Sequence, residues 1–381
     1  MSRIALLGPI HPLRGGIALH TARFAAALRA DGHVVRVVSW RRQYPAAFFP
    51  GRSQLDPGPP VCDLGEPPPE AMLDSIGPRS WGRVARALAA WQPEFVVLQR
   101  WHPFLAPALA WVARCLRRQG AKVVWMVHNA RPHEGRAGLW GPILRIGYKA
   151  EDLCLTHAAS EAVALRGLGV RAAIRTIPHP APATAPPLDP VAARAALGLP
   201  AEGIVFLFFG YVRPYKGVDL LIKALALLTQ RPEPWTAVIA GEWYMDRAPA
   251  ERALAAGGLV ERVRIGNRFL PEDELGELFA AASVVVLPYR SGTQSGVVPQ
   301  AFAHGRPVVV TQVGSVADAV EEGVTGFVVP PENARALADA LGLILDGVRF
   351  SRAAIEAAHG AASWVPLAHA VVARGVAGAA L

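Results

Sequence analysis

Two short segments carry residue types whose spacing suits chemistry. The first, LPYRSGTQSGVVPQAFAHG, runs from Leu287 to Gly305 behind an apolar run, Val284 to Leu287, and enters a helical pattern near Ser295 and Gly296. A strand that feeds a loop of small residues and then a helix start gathers free backbone N–H groups at the positive end of the helix dipole, where a phosphate fits. Thr293, Gln294 and Ser295 add side-chain donors, Gly296 admits a ligand close to the backbone, and Val297 follows at the helix start. The plain alternative is an ordinary strand-to-helix turn with Ser295 as its N-cap. The second segment, FLFFGYVRPYKG, spans Phe206 to Gly217; its strand ends at Gly210, and Arg213 and Lys216 precede an amphipathic stretch, Val218 to Leu228. A guanidinium fork and a mobile ammonium at a strand's carboxyl end suit the oxygens of a diphosphate, whereas alone they would read as solvated loop charges. Two such loops in one half of the chain favour the ligand reading.

The first half offers its own set. Gly15 and Gly16, in HPLRGGIALHT, lie between the first strand and the first helix, where doubly wound folds place ligand loops. The spacing is not GxGxxG and the second strand runs into Ser39 and Trp40 without an acid, which disfavours a nicotinamide dinucleotide. In VVWMVHNARPHE, His128 and Asn129 follow a strand directly, a position from which a histidine can bond a sugar hydroxyl or share a proton; His133 and Glu134 lie further into the loop. Trp101, His102 and Phe104, in QRWHPF, occupy a similar strand end and either line an acceptor site or pack.

These loops need a scaffold of strand ends, and the hydrophobic pattern supplies one. Short β-branched runs (Arg3–Leu7, 34–39, 95–98, 123–127, Leu153–Thr156 and 173–177, then Ile204–Phe209, 236–240, 263–265, Val284–Leu287, 307–311 and Gly326–Val329) alternate with helical segments such as 17–30, 104–118, 272–282 and Ala334–Leu345. Alternation of this kind predicts two parallel sheets, each covered by helices on both faces. The Pro/Ala tract from Pro178 to Pro190 reads as the linker. From Arg41 to Pro78 prolines and glycines interrupt any period, and Tyr44, Phe48 and Phe49 predict that part of this long loop packs down.

The composition agrees. A chain of 381 residues, 52% hydrophobic and 18% charged, is globular and long enough for two domains. Cys62, Cys115 and Cys154 are odd in number and widely spaced, so neither a disulfide framework nor a zinc site is expected. No apolar run approaches the ~18 residues of a membrane span, and the first strand begins without a signal-peptide pattern, so a cytoplasmic location is expected. Residues 1–180 carry 23 Lys and Arg against 11 Asp and Glu, a net of +12, and residues 181–381 carry 16 against 19, a net of −3, consistent with the total of +9. The basic half is expected to meet an anionic partner, and without a nucleic-acid motif a membrane surface is the better candidate.

In order along nearly the whole chain, the RGGI loop, VHNARPHE, IPHP, FGYVRPYKG, NRFLPEDEL and LPYRSGTQSGVVPQAFAHGRPVVVT resemble the family 4 retaining glycosyltransferases of the GT-B fold; SWVPLAHAVV resembles the closing helix of that fold. The resemblance implies an α/β protein of two Rossmann-like doubly wound domains facing a central cleft. Residues 1–180 would bind the acceptor, residues 191–350 a nucleotide-diphosphate sugar, and residues 351–381 would cross back to the first domain. His128, Arg213 and Lys216 take the implied catalytic roles. Gly16, Phe269, Ser295, Gly296, Val297 and Gln300 are the implied donor contacts, and Trp101, His102 and Asn129 the acceptor-side residues. Glu242, in IAGEW, is a further candidate for the cleft.

One departure stands out. The family commonly carries two glutamates eight residues apart, and those positions fall on Gly292 and Gln300. Gln300 can still bond ribose hydroxyls through its amide oxygen, whereas Gly292 replaces nothing. The implied chemistry is stabilisation of charge on a departing nucleoside diphosphate by Arg213, Lys216 and the helix start. No Asp-x-Asp pair occurs, so protein cations are expected to act where other transferases use a divalent metal, and no cofactor is expected beyond the donor. The expected acceptor is lipid-linked, a glycan or a small molecule, and the enzyme is expected in the cytoplasm, peripheral at the inner face of the membrane where the acceptor is lipid-linked. A nucleotide-sugar 2-epimerase of similar fold and an inert sugar-nucleotide binding protein are the alternatives.

Overall fold

The computed structural model describes residues 1–49, 51–131, 151–184 and 188–373. The chain divides into two compact units, one of Met1–Pro180 with the returning Ser363–Leu381, the other of Ala181–Ala362.

The first unit is built on a parallel sheet of β1 (Arg3–Leu7), β2 (Val34–Arg42), β3 (Glu70–Asp74), β4 (Phe95–Arg100), β5 (Lys122–Val127), β6 (Leu153–Thr156) and β7 (Ala173–Thr176), in the order β3-β2-β1-β4-β5-β6-β7. Runs such as IALL and KVVWMV are apolar on both sides, as a sheet covered on both faces requires. One layer gathers Leu7, Leu98, Trp125 and Leu109; the other gathers Leu6, Val37, Met126, Phe24 and Leu28. The closing helix Val365–Val372 adds Leu367, Ala368, Ala370 and Val371 to this second layer, so the chain's return is fixed by burial of an apolar stripe.

The Arg41–Pro78 segment is not a plain loop. It contains the edge strand β3, which the pattern missed because EAMLD has no β-branched residue. Its pairing to β2 is irregular and is reinforced by Arg36 on Glu70 and by Arg42 on Asp74. Tyr44 packs on the QRWHPF turn: it stacks with Phe104 and Phe49, and its hydroxyl accepts from Trp101 Nε1 at 3.0 Å.

The second unit holds β8 (Ile204–Phe209), β9 (Trp235–Ala240), β10 (Val263–Gly266), β11 (Val284–Leu287), β12 (Val308–Thr311) and β13 (Gly326–Val329), in the order β10-β9-β8-β11-β12-β13, all pairs parallel. Phe206, Phe208, Ile239 and Leu341 fill one face; Leu207, Leu287, Phe279 and Phe302 fill the other. The order reverses between β8 and β11, and in the first unit between β1 and β4. Ligands of doubly wound folds sit outside the carboxyl ends at such points.

Gly217 locks the loop after β8. Its φ of 69° is left-handed, and a Cβ there would lie 2.0 Å from the Pro288 oxygen, an atom of the backbone after β11. Gly217→Ala is therefore expected to lower stability by about 1–3 kcal/mol, while Gly16→Ala, whose Cβ meets nothing within 4 Å, stays within about 0.5 kcal/mol of the parent. Chemical denaturation followed by circular dichroism checks both, and equal effects would contradict this reading of the loop.

Candidate active site

In the second unit the loops after β8 and β11, the strands flanking the reversal, are bolted together. Arg290 donates to both oxygens of Asp219 at 2.5 and 2.6 Å, to Glu332 at 2.6 Å and to the Pro214 carbonyl at 3.2 Å, and its own N–H reaches the Tyr215 oxygen at 2.7 Å. This guanidinium draws the Asp219 carboxyl below its ordinary range, the effect expected of a bidentate partner. Sequence reasoning missed Arg290, although it lies inside the LPYRSG segment.

Lys216 sits within this frame. Its ammonium lies 5.1 Å from the centre of the Tyr289 ring, and a Cβ on Gly210 would come within 2.9 Å of Nζ and 3.9 Å of a Val297 methyl. Gly210, Lys216 and Val297 thus converge, and glycine at 210 leaves room for the cation. Burial lowers the Lys216 pKa, Tyr215 opposes the shift and Arg213 adds to it. Tyr289 is 2% exposed; burial raises its phenol to about 12, against the opposing bond to Ser295 Oγ at 3.2 Å.

The helix start differs from the expected one. The helix runs Val297–Ala303 with exposed Gly296 as N-cap, and Ser295 Oγ accepts from Val297 N at 3.2 Å. Ser295 thus satisfies one N–H that the sequence reading assigned to a phosphate. Arg213 lies over the Tyr244 ring at 4.7 Å, and Tyr244, Tyr211 and Phe269 stack in succession at 4.8 and 6.3 Å. Buried Gln300 donates to Glu272 at 3.3 Å, which joins it to the segment that carries Phe269. Glu242 is buried behind β9, 3% exposed. Gly292 lies in the loop held to Ser315, whose N–H and hydroxyl both reach Thr293 O.

In the first unit Gly15 is the helix N-cap, with a φ of 107°, and exposed Gly16 opens the helix Gly16–Ala30. His128 is not a solitary strand-end histidine. It is buried, its Nε2 is 2.6 Å from Gln99 Oε1, and its ring meets those of His20 and His157. Burial, with His179 nearby, pushes its pKa down to about 3, so it is neutral at physiological pH. Half-buried Asn129 follows it. Trp101 and His102 serve the Tyr44 cluster: the Trp101 indole bonds Tyr44, and His102 Nδ1 accepts from Phe104 N at 3.2 Å as the cap of the turn Pro103–Leu105. His133 and Glu134 lie outside the described residues. His20, His157 and Gln99 were missed; the available signal was a polar residue at each of several apolar run ends.

The two halves therefore present different chemistry, cations among aromatic rings in one and neutral imidazoles in the other. Residues 14–183 match the family described as Glycosyltransferase Family 4, and residues 203–346 match Glycosyl transferases group 1. The D-inositol 3-phosphate glycosyltransferase of Acidothermus cellulolyticus is 30% identical over 358 residues, covering 87% of this chain and 78% of its own. That of Nocardia farcinica is 32% identical over 389 residues, covering 94% and 84%. Among solved structures, sucrose-phosphate synthase from Thermosynechococcus elongatus aligns over 97% of this chain and 96% of its own, with a TM-score of 0.71 at 21% identity. Anabaena HepE in complex with UDP aligns over 97% and 95%, with a TM-score of 0.69 at 19% identity. Sequence relatives and fold agree: the chain belongs to the family 4 glycosyltransferases of the GT-B fold.

Proposed function

We propose that this glycosyltransferase moves a sugar from a nucleoside-diphosphate sugar to the hydroxyl of an anionic acceptor, with retention and without a divalent metal. The observation that carries the donor reading is the convergence of Lys216, Gly210 and Val297 at the sheet's reversal point, with Arg213 on the same loop. HepE has been solved in complex with UDP and with UDP-glucose, which supports the same donor class. Lys216 and Arg213 take the charge that develops on the departing diphosphate, with Ser295, Gly296 and Val297 beside them; donors fixed before the reaction serve best in a dry site. Half-buried Lys216 has lost part of its water contacts, which a phosphate oxygen replaces, so its lowered pKa rises again on binding. Phe269 is assigned to the base, Gln300 with Glu272 to the ribose, and Gly16 to close approach of the donor.

The second unit is the donor domain in this reading and the first the acceptor domain, where neutral His128 bonds a hydroxyl. The acceptor oxygen attacks from the face of the leaving group, the bond from the sugar carbon to the diphosphate oxygen breaks, and that phosphate takes the acceptor proton. Asn129, Trp101 and His102 stand on the acceptor side. The net +12 of residues 1–180 suits an anionic acceptor. Trp111 is 51% exposed on the helix Ala106–Arg117, near exposed Arg117 and Arg118, which supports peripheral attachment to anionic membrane from the cytoplasmic side.

Lys216→Ala and Arg213→Ala should each cost about 2.7–4 kcal/mol in turnover, as for loss of one oxyanion donor, with the fold intact, and EDTA should leave the parent rate unchanged. Near-normal turnover in either variant removes that residue from the leaving-group site, and activity lost to EDTA and restored by Mg²⁺ refutes the metal-free mechanism. Free epimerised sugar formed without acceptor would instead support the epimerase.

Membrane attachment predicts co-sedimentation with phosphatidylserine vesicles at low salt and release at high salt, since each basic residue near the surface contributes about 1 kcal/mol within a Debye length. Binding that is absent, or indifferent to lipid charge, would assign a soluble acceptor.

A further inference from the structure

Four adjacent strands of the first sheet deliver polar side chains to one row. Gln99 comes from β4, and His128, His157 and His179 follow the ends of β5, β6 and β7, while His20 meets them from the helix Gly16–Ala30. His20, Gln99, His128 and His157 are each 5% exposed or less. Trp364 closes on His20 edge to face at 5.0 Å. Gly8, at the end of β1, keeps space for the amide, because a Cβ there would come within 2.6 Å of Gln99 Cγ.

One backbone carbonyl sets the direction of the bonds that run from His157 through His20 and Gln99 to His128. His157 Nδ1 lies 2.9 Å from Ile177 O, which only accepts, so Nδ1 carries the proton. Burial lowers the pKa of His157 and His20, with His179 and His128 acting on both and Arg23 on His20, so each ring is neutral and has one N–H. His157 Nε2 is then a lone pair, and His20 Nε2, 3.0 Å away, must donate to it. His20 Nδ1 therefore accepts, and the Gln99 atom that faces it at 3.4 Å is the amide nitrogen. That orientation turns Gln99 Oε1 toward His128, whose Nε2 donates at 2.6 Å.

We propose that Gln99, His20 and His157 are positioning residues that hold His128 as its Nε2–H tautomer, so that Nδ1 carries the lone pair and accepts a hydrogen bond from a hydroxyl of the bound sugar or acceptor. This rests on the placement of His128 in the site. A neutral accepting nitrogen selects hydroxyl groups and disfavours phosphate oxygens, which complements the cations Arg213 and Lys216 of the second unit. A cation held by His20, His128 and His157 is the competing arrangement, since each offers a nitrogen within 4.8 Å of the others. A single proton between the Nε2 atoms of His20 and His157 already satisfies both.

Nitrogen-15 NMR of the histidine side chains in the full-length enzyme near neutral pH tests this directly. The expected pattern is Nε2–H at His20 and His128, Nδ1–H at His157, and well under one metal ion per chain by elemental analysis. Gln99→Glu should take N–H bonds from both His128 and His20, leaving two lone pairs face to face at His20 and His157; the cluster should then bind one proton and show an imidazolium absent from the parent. A protonated Nδ1 on His128, one metal ion per chain, or no change of protonation in Gln99→Glu would overturn the relay. Kinetics separate the two layers. Gln99→Leu and His157→Phe should lower kcat/KM about tenfold, about one hydrogen bond's worth, with thermal melts monitoring the fold. Parent-like kcat/KM with the expected tautomers would remove His128 from the site and leave the relay a structural device.

Discussion

Parallel strand pairing is the constraint on which both units depend. Because every strand in each sheet points the same way, loops that follow neighbouring strands emerge together, and residues far apart in sequence become neighbours. The row from Gln99 to His179 exists because β4, β5, β6 and β7 are consecutive in the sheet. Lys216 and Val297 converge because β8 and β11 flank the point where the order reverses. Such sheets must be buried on both faces, which explains the long Val-rich runs and the return of Val365–Val372 to cover one of them.

Within that frame the second unit sustains a local tension. A half-buried lysine holds its ammonium 5.1 Å from the centre of a phenol ring, and partial burial lowers its pKa. The surrounding loop is held by Arg290 on Asp219, Glu332 and two carbonyls, and Gly217 allows the backbone to pass Pro288. The first unit works in the opposite sense. Its buried imidazoles are neutral and spend their hydrogen bonds on one another, so they give direction without charge.

Much of this was legible in the sequence. The strands that the pattern marked reappear with ends shifted by a few residues, because apolar β-branched runs and their terminal glycines encode burial directly. The edge strand Glu70–Asp74 was hidden, since EAMLD has no β-branched residue and its support comes from ion pairs of Glu70 and Asp74 with arginines on β2. The cations at Arg213 and Lys216 could be seen from their strand-end spacing. The Ser295 hydroxyl on Val297 N could not, because a cap and a ligand donor share one sequence signature. His128 was visible alone, while its partners required the strand order, which no local pattern carries.

In the proposed reading half-buried Lys216 holds the donor diphosphate, and the pH dependence of uridine diphosphate binding probes that contact. A bound phosphate favours the charged lysine. Affinity should therefore be full below the lowered pKa of the free protein and should fall by up to tenfold per pH unit above it, starting below the ordinary lysine value of 10.5. Isothermal titration from pH 7 to 11 should show this decline in the parent and a weak, nearly flat profile in Lys216→Met. A parent profile that is flat across the range, or a Lys216→Met variant that binds as tightly as the parent, would show that Lys216 does not hold the diphosphate.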